Sequence, residues 1–463
     1  MSSLAQAPGT RLTGGASPPT GNFGQHQPRA TEEQGEIVRV STGWQSCQRA
    51  ALALLLVGVV SLSAQAMQDL GPEEDISDLL SNEPPPSERI EDTFTRQWAI
   101  LPEIGFGPET GPLIGAKFTH RNFLDSGGTF DIDGTYALNQ QQAAGISFAL
   151  PHVYDNHLIL LGTAEYNYDP LRRFFGLGNN TVGPTPISTN ASQDARGMVT
   201  VGWRLLDRLA INFSIGLRQV VITNGHRLNK CQNFMDFGTT IRPCPFTPQA
   251  FPDLVGIDGG VINPIGISLV WNSRDDLFRP TRGWRVMLKI VNSNHLLGSF
   301  DFTRYIADAS YLRWFWNRRF VAGLRVNGEY VSGGKVPWWE LPELGGHDTL
   351  RGFFPYRFFG QGRILINTEL RAKLFDFDFF DIWHVNVDGV VFGDTGRVFL
   401  NQQDLKEESG VSGDVFGRVV DNFRFDYGGG VRFELSEALT ARIDVGFSEE
   451  EIGLVYLSFG HTF

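Results

Sequence analysis

The sequence predicts an all-β protein, a 16-stranded antiparallel β-barrel that spans a membrane. Three observations predict it: segments of about ten residues that alternate apolar and polar side chains, aromatic residues at the ends of those segments, and connections that alternate between short and long. No long segment after the N-terminal region has the period of a helix. A soluble β-sandwich also alternates, but its strands average only about 5–6 residues.

Residues 1–66 are expected to be a leader that is removed on export. The apolar run 50–64 ends in a small-x-small cleavage pattern at Ala64 and Ala66. Because this run is shorter than the ~20 residues that a membrane-spanning helix needs, a signal peptide is favoured over an anchor. Residues 1–48 are polar and without periodicity, and are either a long leader or an upstream mis-start.

Residues 67–96 are predicted to be a short acidic periplasmic tether. They contain nine acidic side chains, two arginines and three consecutive prolines, which is too little to build a domain. The whole chain has a formal net charge of −12. A partner that is a nucleic acid is therefore excluded, since phosphate binding needs a basic face.

Residues 97–463 are predicted to form the barrel. The segment ILINTELRAKL (364–374) shows the pattern: Glu369 lies on one face of the strand, and Ile366 and Leu370 lie on the other. The sixteen predicted strands are 97–106, 112–121, 126–137, 142–151, 156–168, 193–206, 208–223, 258–273, 282–294, 299–314, 318–331, 361–375, 385–399, 421–435, 438–448 and 452–463.

The connections between these strands predict the location. Short turns such as 205–208 alternate with long loops, as in outer-membrane barrels with periplasmic turns and outer loops. An even number of strands also returns the C-terminus to the periplasm, where export delivers the N-terminus. The protein is therefore predicted to lie in the outer membrane of a Gram-negative bacterium, in contact with outer-membrane lipid and lipopolysaccharide.

The first and last strands are predicted to meet in a weak seam. Pro102 has no backbone N–H to donate to a neighbouring strand, and Gly105 weakens strand pairing, so both residues fit an edge strand. The last strand places Leu457, Phe459 and Phe463 on one face, and it ends on an aromatic residue. The alternative that Pro102 merely precedes the regular strand stays open.

Cys231 and Cys244 are expected to form a disulfide. They lie 13 positions apart in one loop-like stretch, and an exported protein matures in an oxidising compartment. No histidine spacing completes a zinc motif, so no metal site is predicted. The nine histidines are scattered along the sequence. No pattern places a nucleophile near a base and a group that orients the base, so neither an enzyme nor a cofactor is expected.

Several stretches go beyond a generic barrel. They are ILPEIGFGPETGPLIGAKF (100–118), FFGLGNNT (174–181), PWWELPELGGHDTLRGFFPYRFFG (337–360), INTELRAKL (366–374) and FGDTGRVF (392–399). Together they resemble the BamA/TamA superfamily of outer-membrane barrels, the bacterial surface antigen family. The resemblance covers 97–463 and implies a long outer loop that folds back into the lumen, with Arg351 of an RGF motif near its tip. It also implies that the first and last strands form a lateral gate.

The loop arginine is predicted to form a latch inside the barrel. In the family the arginine meets acidic residues on the next two strands, and alternation places Glu369 and Asp394 on the lumen-facing side. A guanidinium can bridge two carboxylates through its forked donors. The residues of the predicted latch are Arg351, Gly352, Phe353, Glu369, Asp394 and Gly396.

The resemblance implies a barrel that assembles or translocates outer-membrane proteins through its lateral seam. A client polypeptide or a periplasmic accessory protein would be its partner. About thirty residues separate the predicted cleavage site from the first strand, so the chain is expected to be a short member without the periplasmic POTRA domains. The alternative is an autonomous channel or a surface-exposed structural barrel with no insertase activity. The oligomeric state stays open.

Overall fold

A computed structural model of the chain describes the barrel region. The predicted leader and tether lie outside the described residues. The described ranges are 98–124, 128–154, 157–179, 188–228, 243–276, 279–379, 383–400, 423–436 and 439–459.

The described residues are almost entirely in β-strands. The strands are β1 Trp98–Gly107, β2 Gly111–Phe123, β3 Gly128–Ala137, β4 Gln142–Val153, β5 Leu158–Phe174, β6 Ser188–Leu206, β7 Leu209–Thr223, β8 Gly259–Ile262, β9 Ile265–Asn272, β10 Gly283–Ser293, β11 Phe302–Phe315, β12 Phe320–Ser332, β13 Glu343–Leu344, β14 Phe358–Phe359, β15 Gly362–Phe379, β16 Trp383–Phe399, β17 Arg424–Ser436, β18 Leu439–Ser448 and β19 Leu454–Phe459. The helical elements are α1 (Thr247–Ala250) and a 3-10 turn (Trp338–Glu340). Neither helical element of the described part has the length and hydrophobicity to cross a bilayer.

The strands form a closed antiparallel barrel with sixteen positions. Strands β8 and β9 share one position because both pair with β7. Strands β13 and β14 pair only with each other in the long connection between β12 and β15. Pairing between β1 and β19 closes the circle. The predicted fold class is confirmed.

Each strand has one face toward the lumen and one toward lipid, because successive side chains of a strand point to opposite sides. On β15, Asn367 and Glu369 are buried inside the barrel, whereas Leu370 and Leu374 are exposed on the outer surface. The exposed apolar residues of the other strands follow the same alternation, as the lipid-facing band of a membrane barrel requires.

Several strands differ from their predicted extents: β6 begins at Ser188 instead of 193 and β15 ends at Phe379 instead of 375. In two further cases proline explains the difference. The predicted strand 258–273 is interrupted between β8 and β9 by Asn263 and Pro264, since Pro264 cannot donate to the ladder. Strand β5 was expected to end at residue 168, before Pro170. It continues instead to Phe174 through an irregularity between Asp169 and Arg172, which absorbs the proline.

The end of the barrel that carries the long connections has an apolar core of its own. Aromatic and aliphatic residues of the connections pack there against the ends of β5, β7, β8, β11 and β12. The buried members of this outer cluster are Phe174, Val220, Ile222, Ile262, Phe300, Phe302, Val331, Trp338, Trp339 and Phe359. The connections therefore fold over the outer mouth of the barrel.

At the opposite end, the turn between β9 and β10 reaches across to a distant strand. Asp275 shapes the turn by accepting hydrogen bonds from the backbone N–H of Thr281 (2.9 Å) and of Arg282 (3.0 Å). Arg279 leaves the turn and forms an ion pair with Glu434 of β17. Because β10 and β17 are not neighbours in the sheet, this pair ties separate parts of the wall together.

Candidate functional site

The long connection between β12 and β15 enters the lumen as a tight hairpin built on two glycines. Gly345 and Gly346 have φ of +114° and +107°, a region that favours glycine. A Cβ at Gly345 would lie 2.1 Å from the Phe354 carbonyl oxygen. The hydroxyl of Thr349 accepts a hydrogen bond from the Gly345 N–H (2.8 Å) and fixes the approach to the tip. The GGHDT segment is therefore the bend that turns the following arginine inward.

Arg351 lies inside the barrel, fully buried, between two acidic residues of the wall. Its Nε and Nη2 donate to the two carboxylate oxygens of Asp394 at 2.7 and 2.8 Å, and its Nη1 donates to Glu369 Oε1 at 2.5 Å. Its guanidinium carbon lies 3.6 Å from the ring centroid of Phe392. All of the charged atoms are removed from solvent, so this ion-pair cluster is of the buried kind, in which losing one partner is costly.

The two carboxylates also determine the charge state of Arg351. Burial alone would lower the pKa of this guanidinium, but the negative charges of Asp394 and Glu369 outweigh it and raise the pKa. Asn367 adds a neutral partner, because its amide nitrogen donates to Asp394 (2.9 Å) and to the Thr349 carbonyl (2.7 Å). The loop arginine is therefore held as a cation.

Further arginines on the barrel wall extend the cluster. Arg371 donates to Glu369 Oε2 at 3.0 Å, and Arg432 Nη2 donates to Glu369 Oε1 at 3.3 Å. Arg432 also pairs with Asp444 of β18 at 2.6 Å. Because the inserted loop shares Glu369 with wall arginines, moving the loop would change the charge balance of three strands.

Glycines on the loop and on the wall make room for this close approach. A Cβ at Gly352 would lie 2.6 Å from the Asp426 Cβ, and one at Gly396 would lie 2.9 Å from Leu344 Cδ1. A Cβ at Gly446 of β18 would lie 2.2 Å from the Arg351 carbonyl oxygen. The loop therefore lies directly on the wall at these positions.

Phe353 anchors the loop by apolar packing and by one hydrogen bond. It is fully buried, and its carbonyl accepts a hydrogen bond from the Tyr456 hydroxyl of β19 at 2.9 Å. The last strand of the barrel is thereby joined to the loop. The other members of the apolar cluster around Phe353 are Leu344, Leu350, Phe358, Leu365 and Val398.

Replacing Tyr456 with phenylalanine is expected to lower the free energy of unfolding by about 0.5–1.5 kcal/mol, the usual net worth of one hydrogen bond. The loss should stay at that level because the Phe353 carbonyl also accepts from the Gly346 N–H (3.1 Å). Heat-dependent gel mobility of the folded barrel measures it. Tyr330→Phe, on the exposed outer face, is the matched control, and equal losses in the two variants would contradict the role of Tyr456.

Two further ion pairs hold the loop and were missed from the sequence. Arg357, fully buried, binds both carboxylate oxygens of Glu450 in the β18–β19 connection at 2.6 and 2.7 Å. Asp348 pairs with Arg442 of β18, which also donates to the His347 carbonyl at 3.0 Å. Alternation could have placed Arg442 on the lumen face, but no local pattern indicates which loop residue it meets.

The predicted seam between the first and last strands is sparsely paired. Phe106 opposite Leu457 is the one registered pair between β1 and β19 in the described residues. Strand β1 pairs with β2 along its whole length, from Trp98 to Gly107. Pro102 lies inside β1, opposite Ala116 of β2, and does not merely precede the strand.

The remaining predicted site residues fall partly outside the described residues. Gly105 is buried on the lumen face of β1, and Phe459 ends β19. Cys244 is fully buried, but Cys231 lies outside the described ranges, so their disulfide stays a prediction. Phe463, Ala64 and Ala66 also lie outside these ranges.

Acidic, histidine and cysteine residues do not gather into a metal site in the described ranges. The carboxylates at the centre of the barrel are occupied by arginines instead. The chemistry available at the candidate site is therefore the making and breaking of ion pairs as the loop enters or leaves.

Comparison with known proteins places the fold. Residues 122–463, more than half of the chain, match the model of the Omp85 superfamily domain. The structure is similar to BamA from Haemophilus ducreyi lacking POTRA domains 1–3, with 13% identity, a TM-score of 0.55, and coverage of 79% of this chain and 70% of that chain. It is also similar to CdiB from Escherichia coli, with 12% identity, a TM-score of 0.52, and coverage of 80% of this chain and 63% of that one, less than two thirds. No curated protein matches the sequence.

Proposed function

This chain belongs to the Omp85 superfamily and is an outer-membrane β-barrel of a Gram-negative bacterium, and on that premise we propose that it inserts or translocates a client polypeptide through the seam between β1 and β19. The observation that carries the proposal is that, among the described residues, Phe106 and Leu457 form the one registered pair between β1 and β19. Opening this seam would expose backbone groups to which a strand of the client can pair.

The inserted loop acts as the latch of this seam. Tyr456 of β19 contacts the loop through Phe353, and Gly446 of β18 touches the backbone of Arg351. Strand β19, which borders the seam, and β18 beside it are therefore held from inside by the loop, and release of the loop would free them together. The client, and a periplasmic accessory protein if one takes part, are recognised at this edge by backbone pairing.

The alternative is an autonomous channel or a structural barrel without insertase activity. Half-buried ion pairs line the lumen on the wall opposite the latch, among them Lys117–Asp131 (3.1 Å) and Arg196–Glu165 (2.7 Å), and such a polar wall suits a solute path. The outer cluster over the mouth of the barrel argues for a closed resting state instead.

A folding assay separates the two functions. The purified barrel is reconstituted in liposomes, and the folding rate of an unfolded eight-stranded outer-membrane barrel is measured with and without it. The proposal expects faster folding of this client. No acceleration, together with a steady single-channel conductance, would establish the channel instead.

Locking the seam is expected to abolish the acceleration. Cysteines in place of Phe106 and Leu457 lie directly opposite each other, so a disulfide between them closes the edge. Reduction should restore activity. The matched control is a disulfide between cysteines replacing Ile114 and Tyr136, an exposed pair across the fully paired β2–β3 ladder. If the locked seam leaves the rate unchanged, lateral opening is not the mechanism.

A further inference from the structure

The turn between β11 and β12 holds three consecutive non-glycine residues in the left-handed region. Trp316, Asn317 and Arg318 have φ of 52°, 54° and 62°. For such residues this region costs on the order of 1 kcal/mol each. The turn is closed by pairing of Phe315 with Phe320, and it leaves Trp316 77% exposed.

The turn displays positive charge on an acidic protein. Arg313, Arg318 and Arg319 are exposed, and in the described part of the chain none of them forms an ion pair. The guanidinium carbons of Arg313 and Arg318 lie 6.0 and 5.4 Å from the ring centroid of Trp314. The whole chain has a net charge of −12, so three arginines within seven residues, with no carboxylate partner among the described residues, form a local basic patch.

The position of the patch indicates which kind of anion it binds. Arg313 shares the outer face of β11 with Tyr305 and Phe315, both exposed toward lipid. Its neighbour on β12 is Ala322, which leaves room for the long side chain to lie along the surface. An arginine at the edge of a lipid-facing band extends its guanidinium to the headgroups. A soluble protein would have to displace lipid to reach it, so a lipid headgroup is the better fit.

We propose that Arg313, Arg318, Arg319 and Trp316 form a binding site for anionic phospholipid headgroups of the periplasmic leaflet, the side on which short turns of outer-membrane barrels lie. Guanidinium groups bind phosphate oxygens in pairs, and an exposed indole settles at the headgroup level. The site anchors the β11–β12 hairpin in the leaflet. It is independent of the client and of the seam, and it holds for a channel as well as for an insertase.

Native mass spectrometry tests this. The full-length barrel in detergent is mixed with equal amounts of phosphatidylglycerol and phosphatidylcholine, and the retained lipids are counted. The wild type is expected to prefer phosphatidylglycerol. The double variant Arg318→Gln/Arg319→Gln is expected to lose about 25-fold of that preference, since each arginine contributes about fivefold. The control Arg227→Gln/Lys335→Gln removes the same charge from exposed positions in the long connections and should keep it.

Heat-dependent gel mobility shows that each variant is folded. The proposal is overturned if the wild type has no preference or if the control variant loses it equally. Competition by millimolar glycerol phosphate would indicate a free-anion site, and displacement of lipid by polyglutamate would indicate an acidic protein partner; either result also overturns the lipid site. Retention of phosphatidylglycerol that falls with added salt in the wild type and in the control variant, but not in the Arg318→Gln/Arg319→Gln variant, supports it.

Discussion

Replacing Arg351 with alanine is expected to destabilise the barrel by about 3–5 kcal/mol, because the change leaves Asp394 and Glu369 buried without their shared cation. The folded form should then lose its compact gel mobility at a much lower temperature than the wild type. Arg351→Lys keeps the charge but not the fork that binds both oxygens of Asp394, so it should recover only part of the loss.

The matched control for this change is Arg282→Ala. Arg282 belongs to an exposed pair with Asp275 at 3.8 Å, and such pairs contribute little. The double variant Arg351→Ala/Asp394→Ala should be less destabilised than the sum of the two single changes, because contacting residues couple. Additive losses would show that the two side chains do not act as a pair.

Replacing Gly446 with alanine is expected to drive the loop off the wall without removing any charge. The added Cβ would lie 2.2 Å from the Arg351 carbonyl oxygen and 2.8 Å from the Gly352 nitrogen. Both atoms belong to the backbone, so the strand or the loop must move, at a cost of about 1–3 kcal/mol. Once the tip is displaced, the bond that follows Arg351 becomes accessible, and trypsin should cut there.

Gly328→Ala is the control for this change, since a Cβ at Gly328 of β12 meets no heavy atom within 4 Å. Fragments identified by mass spectrometry report the cut. If both variants resist trypsin at Arg351, the loop tolerates the added methyl group and close contact with β18 does not hold it. If both are cut, the barrel is loosened by any alanine in a strand.

The acidic partners of Arg351 could be predicted from the sequence. Alternation alone puts Glu369 and Asp394 on the lumen face, and the resemblance of the loop to its family indicates which arginine turns inward. The partners of Arg357 and Arg442 were not readable, because Glu450 and Asp348 lie 93 and 94 positions away from them in the chain. Contacts of that kind depend on how the loop folds, and the alternation of side chains along the strands does not specify the fold of the loop.

The sequence by itself determined the barrel, its strand number and the lumen face of residues such as Glu369 and Asp394, because the two-residue alternation of a strand is a local property. It also placed the long connections at one end. Only the tertiary structure decided how the closed wall uses these residues: that Glu369 is shared by Arg351, Arg371 and Arg432, that Tyr456 of the last strand reaches the loop, and that one registered pair joins β1 to β19 in the described part of the chain. These depend on the closure of sixteen strands into a circle, which brings together residues far apart in the chain.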